Sequence, residues 1–282
     1  FFKMTYKSKK YSNSETISVL KKHWNHKKGF YSNIFSSVNM KSSEKLPTKL
    51  PTDSTLTRDI KLNKYYLNLT ISKKVKTETR PFEKAIFIDP GVKNLYTGSS
   101  FDSNEGFKLI TVGKRDINRI SRLLYYKHKL HGKVSKAKNV RKKKSYKKAL
   151  HRMSLKIRNL ISDMHKKVAK WLTNEYDQIH LPKLNFHKCK KLNRKSKEKL
   201  VTYRHCELFT RIQDKANENQ VCSLNERNES FTSKTCCNCG HLDPNLGNKD
   251  IYNCKKCNIV INRDYNGAIN IMLRYITSFM TN

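Results

Sequence analysis

The sequence predicts an α/β fold, and three observations lead to that prediction. A continuous apolar run, residues 85–88, ends at Asp89-Pro90-Gly91, as a buried strand does when it reaches the edge of an open α/β sheet. A long basic region with helical spacing of its leucines follows, and a four-cysteine pattern lies near the C-terminus. These features predict a mixed sheet with a helical basic insert and an inserted zinc ribbon.

The first part of the chain is expected to contribute little to the core. Residues 1–55 are polar and are interrupted by Pro47 and Pro51, which predicts a partly disordered or truncated N-terminal segment. Residues 64–72 alternate apolar and polar side chains, as a half-buried strand does. Residues 56–80 are therefore expected to be the end of a small, barrel-like β domain. Because the chain begins with Phe1, we expect a fragment in which this β unit is a remnant.

Residues 81–230 are expected to form the main domain. Residues 96–99 and 107–112 have the apolar pattern of strands and are joined by turn-forming residues, which predicts an antiparallel meander after the first buried strand. Two further short strands are expected at residues 178–182 and 220–224, with a helix at 205–216 between them. Residues 261–282 complete this domain with a last helix, which is expected to direct Ala268, Ile269, Ile271, Met272 and Ile276 toward the core.

The charge of the chain indicates a polyanionic partner. The sequence has 60 Lys and Arg against 22 Asp and Glu, and a net charge of +38. Lys114 to Arg158 contains eighteen of these cations and one acidic residue, Asp116, within a helical insert expected over residues 114–175. A charge run is usually a solvated face, but cations at this density repel one another unless an anion lies alongside, which favours contact with a phosphate backbone.

The sequence favours nucleic acid over a membrane as the partner. No run approaches the roughly 20 apolar residues of a membrane span. The use of cysteine indicates a reducing, intracellular setting. In a eukaryotic host the basic run at residues 141–148 could act as a nuclear import signal, and otherwise we expect the cytoplasm or nucleoid.

Four cysteines have the spacing of a zinc ribbon. Cys236 and Cys239 form one C-x-x-C pair, Cys254 and Cys257 form the other, and fourteen residues separate the pairs. Four thiolates suit a tetrahedral, structural Zn²⁺ ion. A disulfide framework is the alternative, but it is typical of small secreted domains and not of a long, lysine-rich chain. Residues 231–260 are therefore expected to form the ribbon, with Cys237 outside the ligand set.

Two aspartates stand out as candidate catalytic residues. Asp89 follows the first buried strand, and Asp264 begins the last helix directly after the ribbon. Each has an ordinary structural explanation, because Asp commonly forms turns before Pro-Gly and commonly caps helix N-termini. Their combination with the ribbon favours metal binding by both carboxylates.

The segments IDPGVKNLYT, ESFTSKTCCNCG, YNCKKC and NRDYNGAINI, in that order, resemble the RuvC-type nuclease core of TnpB and its Fanzor relatives. The resemblance covers roughly Leu56 to Tyr275. It implies an RNase H-like (RuvC) fold in which three carboxylates hold two Mg²⁺ ions. It also implies RNA-guided cutting of double-stranded DNA by a protein associated with a transposable element, acting as a monomer with its guide RNA.

The resemblance assigns the carboxylates residue by residue. Asp89 matches the first and Asp264 the third, whereas the position of the usual second carboxylate, a glutamate, holds Pro182. Fanzor proteins and some TnpB relatives have a replacement glutamate just before the TSKTC segment, which is where Glu229 lies. Glu226 is the second choice.

Two other functions remain open at this stage. The chain resembles a nuclease, but Pro182 permits a catalytically inactive or decaying relative that only binds nucleic acid. A transposase that acts on the ends of the element is a third hypothesis.

Overall fold

The computed structural model describes residues 14–32, 34, 41–72, 83–182, 192–224, 232–247 and 249–280. The chain divides into two compact units, the first formed from residues 1–74 and 131–152 and the second from residues 75–130 and 153–282. Within the ranges just given, we find no helix with both the length and the apolar character needed to cross a bilayer.

The first unit contains a small antiparallel sheet. Its elements are β1 (Ser14–Val19), a 3₁₀ turn (Lys21–His23), β2 (Trp24–Asn25), β3 (Gly29–Phe30), β4 (Ser54–Asp59) and β5 (Lys64–Asn68). The strand order is β1-β4-β5, and β2 and β3 form a separate hairpin. The helical residues 131–152 also belong to this unit, where the ring of His151 pairs with the carboxylate of Asp59 at 3.1 Å.

Two details of this unit differ from the sequence pattern. Residues 14–30 form strands and a turn within the segment expected to be partly disordered or truncated. The apolar pattern does not reveal β1 because Val19 is its one buried residue. The strand expected over residues 64–72 ends at Asn68, and Leu69 and Ile71 beyond it are 42% and 71% exposed.

The second unit contains the larger sheet and most of the helices. Its elements, with the two long helices that extend into the first unit, are β6 (Lys84–Pro90), β7 (Tyr96–Asp102), β8 (Gly106–Val112), α1 (Lys114–Lys136), α2 (Val140–Glu175), β9 (Gln178–His180), α3 (Arg194–Tyr203), α4 (His205–Asn219), β10 (Cys222–Leu224), β11 (Ile251–Asn253), β12 (Val260–Asn262) and α5 (Arg263–Met280).

The large sheet is mixed and has the order β10-β9-β6-β7-β8. β6, β7 and β8 form the expected antiparallel meander, and β9 and β10 run parallel to β6. The α/β class, the helical insert after β8 and the ribbon before α5 are confirmed. Because β9 is parallel to β6, the two strands end at the same edge of the sheet.

Helices cover both faces of this sheet. Ile86 and Ile88 of β6 pack in one apolar cluster with buried residues of α1, α2 and α4, such as Ile117, Leu172 and Leu208. On the other face, α5 packs against β6 and β7. Amphipathic helices provide the apolar stripes that this arrangement needs.

Two details differ from the sequence analysis. Ile276, expected in the core, is 43% exposed, whereas Ala268 is fully buried, because the neighbouring Tyr275 and not Ile276 is on the face of α5 that contacts the sheet. α3 was not predicted, since its charged sequence presents only Leu200 and Tyr203 to the interior.

Candidate active site and metal centre

Asp89 lies at the edge of the sheet, next to a tight turn. It is the penultimate residue of β6 and pairs with Thr97 of β7. In the turn that follows, the N–H of Gly91 donates to the carbonyl of Leu95 at 3.2 Å. A Cβ atom at position 91 would lie 2.9 Å from the carbonyl oxygen of Asn94, so this turn requires glycine. The turn therefore holds the end of β6 in one conformation.

The first turn of α5 lies against Asp89. The carboxylate Oδ2 of Asp89 is 3.7 Å from the position that a Cβ on Gly267 would occupy. Asp264 is three residues before Gly267 and thus in the same helical turn. Its N–H donates to the Oδ1 of Asn262 at 2.9 Å, which fixes the start of the helix. The structure thus brings Asp89 to the helical turn that contains Asp264.

Hydrogen bonds hold the first turns of α5 on the sheet. The Ser99 hydroxyl of β7 donates to the buried carbonyl of Ala268 at 3.1 Å. The hydroxyls of Thr111 in β8 and Tyr265 are 2.9 Å apart. The distance between Asp89 and the start of α5 is therefore set by the sheet as well as by the ribbon that leads into the helix.

Pro182 lies two residues after the end of β9, the strand next to β6. β9 pairs with β6 in parallel register, with His180 opposite Phe87. Continuing that register by two residues places Pro182 opposite Asp89, so β9 brings no carboxylate to this edge. Glu229 and Glu226, the alternatives from the sequence, lie outside the described residues.

An aromatic stack supports this edge from the α5 side. The ring of His180 is 4.4 Å from the ring of Phe87 at an angle of 9°, and 3.9 Å from the ring of Tyr275. The Tyr275 hydroxyl donates to Gln178 at 2.8 Å. His180 is 7% exposed, and its contacts are those of a packed core residue.

Two asparagines of α5 hold the entrance of the ribbon, and the sequence analysis missed them. Asn266, fully buried, donates to the carbonyl of Thr235 at 2.7 Å and accepts from the N–H of Cys237 at 2.9 Å. Asn270, 6% exposed, donates to the carbonyls of Thr232 and Thr235 at 2.8 and 2.6 Å. The same helix face also contains Arg263, Arg274 and Thr277, so the sequence pattern gives no signal that these two amides are buried.

The four cysteines of the two C-x-x-C pairs meet in one cluster. All four sulfurs lie within 4.8 Å of one another. The Sγ–Sγ distance is 3.6 Å between Cys236 and Cys257, and also between Cys239 and Cys254. In a tetrahedron with Zn–S bonds of about 2.3 Å, the sulfurs are roughly 3.8 Å apart, so these residues fit a zinc ion.

The two cysteine turns have the same backbone design. Gly240 and Asn258, each with positive φ, donate to the carbonyls of Cys236 and Cys254 at 3.0 Å. The N–H of Ile259 also bonds to Cys257 and is the largest cause of the lowered pKa of this thiol, about 6, whereas burial raises the pKa of the Cys236 thiol. Backbone donors directed at sulfur favour the thiolate, the form that binds a metal.

An ion pair links the Asp89 turn to the ribbon. The ammonium of Lys93, two residues after Gly91, contacts the carboxylate of Asp250, which directly precedes β11. Both side chains are largely exposed, so this pair contributes orientation more than stability.

The basic helices present their charges to solvent. Arg141 to Ser145, Lys147 and Lys148 of α2 are exposed. Among the described residues, the ion pairs of the two helices occur elsewhere, at His128 with Glu198, at His151 with Asp59 and at Lys167 with Asp163. The basic run therefore keeps its charge available for an anion.

Comparisons with known proteins agree with this arrangement. The family model described as "Cas12f1-like, TNB domain" matches residues 205–271, which span α4, β10, the ribbon and the start of α5. A TnpB-like protein of Acanthamoeba polyphaga mimivirus is 30% identical over 200 residues, 66% of this chain and 36% of its own length. A candidate transposase of Paramecium bursaria Chlorella virus 1 is 27% identical over 98% of this chain and 63% of its own length.

The chain is similar to proteins of the TnpB family. Among solved structures, a Cas12f1 complex with single guide RNA and target DNA has the same fold, with a TM-score of 0.51 and 21% identity over 78% of this chain and 45% of that one. The chain spans less than two thirds of the length of these curated relatives.

Proposed function

We propose that this chain is the nuclease part of an RNA-guided, Mg²⁺-dependent DNA endonuclease associated with a transposable element. Asp89, Glu229 and Asp264 would hold two Mg²⁺ ions, and the four clustered cysteines would hold one structural Zn²⁺. The guide RNA and a matched double-stranded DNA would be the partners, bound by a monomer.

The contact between Asp89 and the first turn of α5 supports this proposal most strongly. The two aspartates are 175 positions apart in the chain, yet the sheet and the ribbon place Asp89 at the helical turn that contains Asp264. Carboxylate oxygens are the ligands that Mg²⁺ prefers, and a structural role for either aspartate alone would not require this proximity.

Two bound Mg²⁺ ions would supply an activated water and neutralise the leaving oxygen of the phosphodiester. The protein residues contribute rigidity to that site. Gly91 fixes the turn after Asp89, and Ser99 fixes the position of α5 on the sheet through its bond to Ala268. Asn270 fixes the segment that enters the ribbon. Carboxylates held in place in this way do not have to reorganise when the ions bind.

The two ends of the segment that contains Glu229 are held near this site. β10 ends at Leu224, which pairs with His180 of β9, one strand away from β6. Thr232, three residues after Glu229, is bonded to Asn270 of α5. The described residues on either side of this segment are therefore tied to the sheet and to α5, the two elements that meet at Asp89.

The basic helices and the ribbon support nucleic-acid binding. RNA-guided effectors hold the guide–target duplex in a positively charged channel and read the sequence by base pairing. The exposed cations of α2 provide such a surface. The ribbon leads directly into α5, so a zinc ion there would also fix the start of the helix that contains Asp264.

Pro182 favours a second candidate function, a relative that binds nucleic acid without cutting. Proline supplies no metal ligand, and its place opposite Asp89 leaves two aspartates unless Glu229 reaches the site. In that case the chain would retain affinity for RNA and DNA but would hydrolyse neither.

Cleavage by matched variants separates these functions. The chain would be incubated with its copurified RNA, matched double-stranded DNA and Mg²⁺, and compared with Asp89→Asn, Asp264→Asn, Glu229→Gln and Glu226→Gln. We expect cleavage to fall at least about 100-fold in the first three variants and to persist in the last, since each lost carboxylate removes a metal ligand. Binding of DNA without cleavage by the unmodified chain would favour the non-cutting relative, and joined product strands would favour a transposase.

A further inference from the structure

A cavity in the first unit has no part in the nuclease site. It has a volume of about 590 Å³ and lies next to the 3₁₀ turn, with Leu20, Trp24 and Leu50 in its lining. Pockets of about 300–1,000 Å³ are of the size that holds one small ligand. The cavity is open to solvent on one side and combines an aromatic ring with aliphatic walls.

A hydrogen bond orients the aromatic ring in the apolar part of this cavity. The indole Nε1 of Trp24 donates to the carbonyl of Pro47 at 2.9 Å, which fixes the orientation of the ring. Leu50 is 1% exposed and belongs to the interior of the unit. A fixed indole next to a buried leucine presents a preformed surface on which a planar group can stack.

The polar part of the cavity is cationic. Lys21, Lys22 and Lys49 are exposed and line it together with one acidic residue, Asp53. The Asp53 carboxylate accepts the backbone N–H of Lys21 at 2.8 Å, so its charge also serves to hold the 3₁₀ turn. Three lysines against one aspartate leave an excess of two positive charges around the indole.

We propose that this cavity binds one unpaired nucleotide of a single-stranded RNA or DNA. The base stacks on Trp24 between the leucines, and the lysines contact the flanking phosphates. Stacking on an aromatic side chain and cationic contacts to the backbone are the two elements of single-strand binding, and the cavity supplies both. A base inside a duplex is stacked on its neighbours and does not present its face, so the nucleotide must be unpaired.

The charge and the aromatic ring decide against other ligands. A polyphosphate or an acidic peptide would be attracted to the lysines but has no planar group for the indole. A neutral aromatic compound would stack but would leave the lysines without a partner. The inference rests on the proposed function for the source of the strand, which would be the guide RNA or the displaced strand of the target.

The fluorescence of Trp24 provides the test. The chain has two tryptophans, so a Trp171→Phe variant of the full chain reports Trp24 alone. This variant would be titrated, without Mg²⁺, with a five-nucleotide deoxyadenosine strand, with the same strand made of ribonucleotides, and with an abasic strand of equal length and charge. We expect saturable quenching by one or both base-containing strands. The abasic strand should bind at least about 10-fold more weakly than the strand that quenches. The stronger of the first two strands identifies RNA or DNA as the source.

Lysine variants provide the matched control. In the Trp171→Phe background, Lys22→Gln with Lys49→Gln should lower the affinity for the strand that quenches Trp24 about 10-fold. Lys147→Gln with Lys148→Gln on α2 should change that affinity, measured by the same quenching, less than about 3-fold. Absence of quenching, or equal quenching by the abasic strand, would overturn the proposal. A chain that quenches but does not cleave contradicts only the proposed nuclease, and a chain that cleaves but does not quench contradicts only this site.

Discussion

The carboxylate of Asp89 and the backbone of Gly267 are close enough that any side chain at position 267 would contact Asp89. A Cβ at Gly267 would lie 3.7 Å from Oδ2 of Asp89 and 3.6 Å from Oγ of Ser233, which are ordinary contact distances. A methyl group fits this space, but further carbon atoms have to displace the carboxylate or the serine. Glycine here keeps room around the Asp89 carboxylate.

Substitutions at Gly267 should therefore separate stability from activity. We expect Gly267→Ala to retain cleavage and to stabilise the chain by about 0.5–1 kcal/mol, because alanine is the better helix former. Gly267→Leu should lower cleavage at least about 10-fold by moving the Asp89 carboxylate. Cleavage rates and thermal unfolding of the three proteins would be compared, and a leucine variant that cuts at the normal rate would contradict the prediction.

Asn270 should stabilise both the ribbon entrance and α5. Its buried amide bonds to the carbonyls of Thr232 and Thr235, so Asn270→Leu leaves these acceptors without this donor. A lost partner for a buried polar group costs about 1–3 kcal/mol. We expect the free energy of unfolding in urea to fall by that amount, and an exposed substitution on the same helix, Thr277→Ala, to change it by less than about 0.5 kcal/mol. Equal effects of the two substitutions would show that the amide bonds do not stabilise the fold.

The cysteine cluster should bind one zinc ion per chain. Metal analysis of the purified protein is expected to give about one Zn²⁺ for the unmodified chain and for Cys237→Ser, and close to none for Cys254→Ser. A chelator should lower the unfolding temperature of the first two proteins, because metal binding contributes to the folding free energy. Unchanged zinc content in Cys254→Ser would exclude this ligand set.

Two buried histidines should make the fold sensitive to acid. Burial lowers the pKa of His205 to about 4, and burial also lowers the pKa of His165. The unfolded chain takes up a proton at His205 below about pH 6.5, whereas the folded chain does so only near pH 4. Stability is therefore complete above about pH 6.5 and falls as the pH decreases toward 4.

Urea unfolding at about pH 7.5 and about pH 4.5 measures this effect. His205 lies among aromatic rings, with the Tyr96 ring 5.9 Å and the Tyr203 ring 6.0 Å away, so a phenyl group suits the site. Between these pH values the free energy of unfolding should fall in both proteins, and we expect the fall in His205→Phe to be smaller than in the unmodified chain by on the order of 2 kcal/mol. His131 is exposed, so the free energy of unfolding of His131→Gln should fall as much as that of the unmodified chain. An identical fall in all three proteins would refute the assignment of the acid sensitivity to His205.

The sequence predicts the parts of this site that rest on local patterns. The apolar run before Asp89 marks a strand buried on both faces, and the spacing of the C-x-x-C pairs marks the metal cluster. The strand order around Asp89, including the proximity of Pro182, depends on long-range pairing that no local pattern reveals. The amides of Asn266 and Asn270 resemble surface asparagines until the structure shows the carbonyls that they contact.

The parts that the sequence does not predict have a physical explanation. β1 forms an edge of its sheet with one buried residue, so its side chains have no alternating apolar pattern to detect. Ile276 has the helical spacing of a core residue, yet its neighbour Tyr275 is the residue of that turn that packs on the sheet. Periodicity indicates an apolar face but does not determine which residues at its margin contact a partner.

The central claim is that Asp89, Asp264 and Glu229 together hold a pair of divalent ions, and Mn²⁺ tests it most directly because its electron spin reports both occupancy and distance. In a titration of the RNA-bound chain followed by electron paramagnetic resonance, we expect about two Mn²⁺ ions per chain with the spin coupling of ions roughly 4 Å apart. Asp89→Asn and Glu229→Gln should abolish the coupling, and Glu226→Gln should preserve it. Uncoupled binding of Mn²⁺ in the unmodified chain, or coupling that survives in Glu229→Gln, would contradict the account.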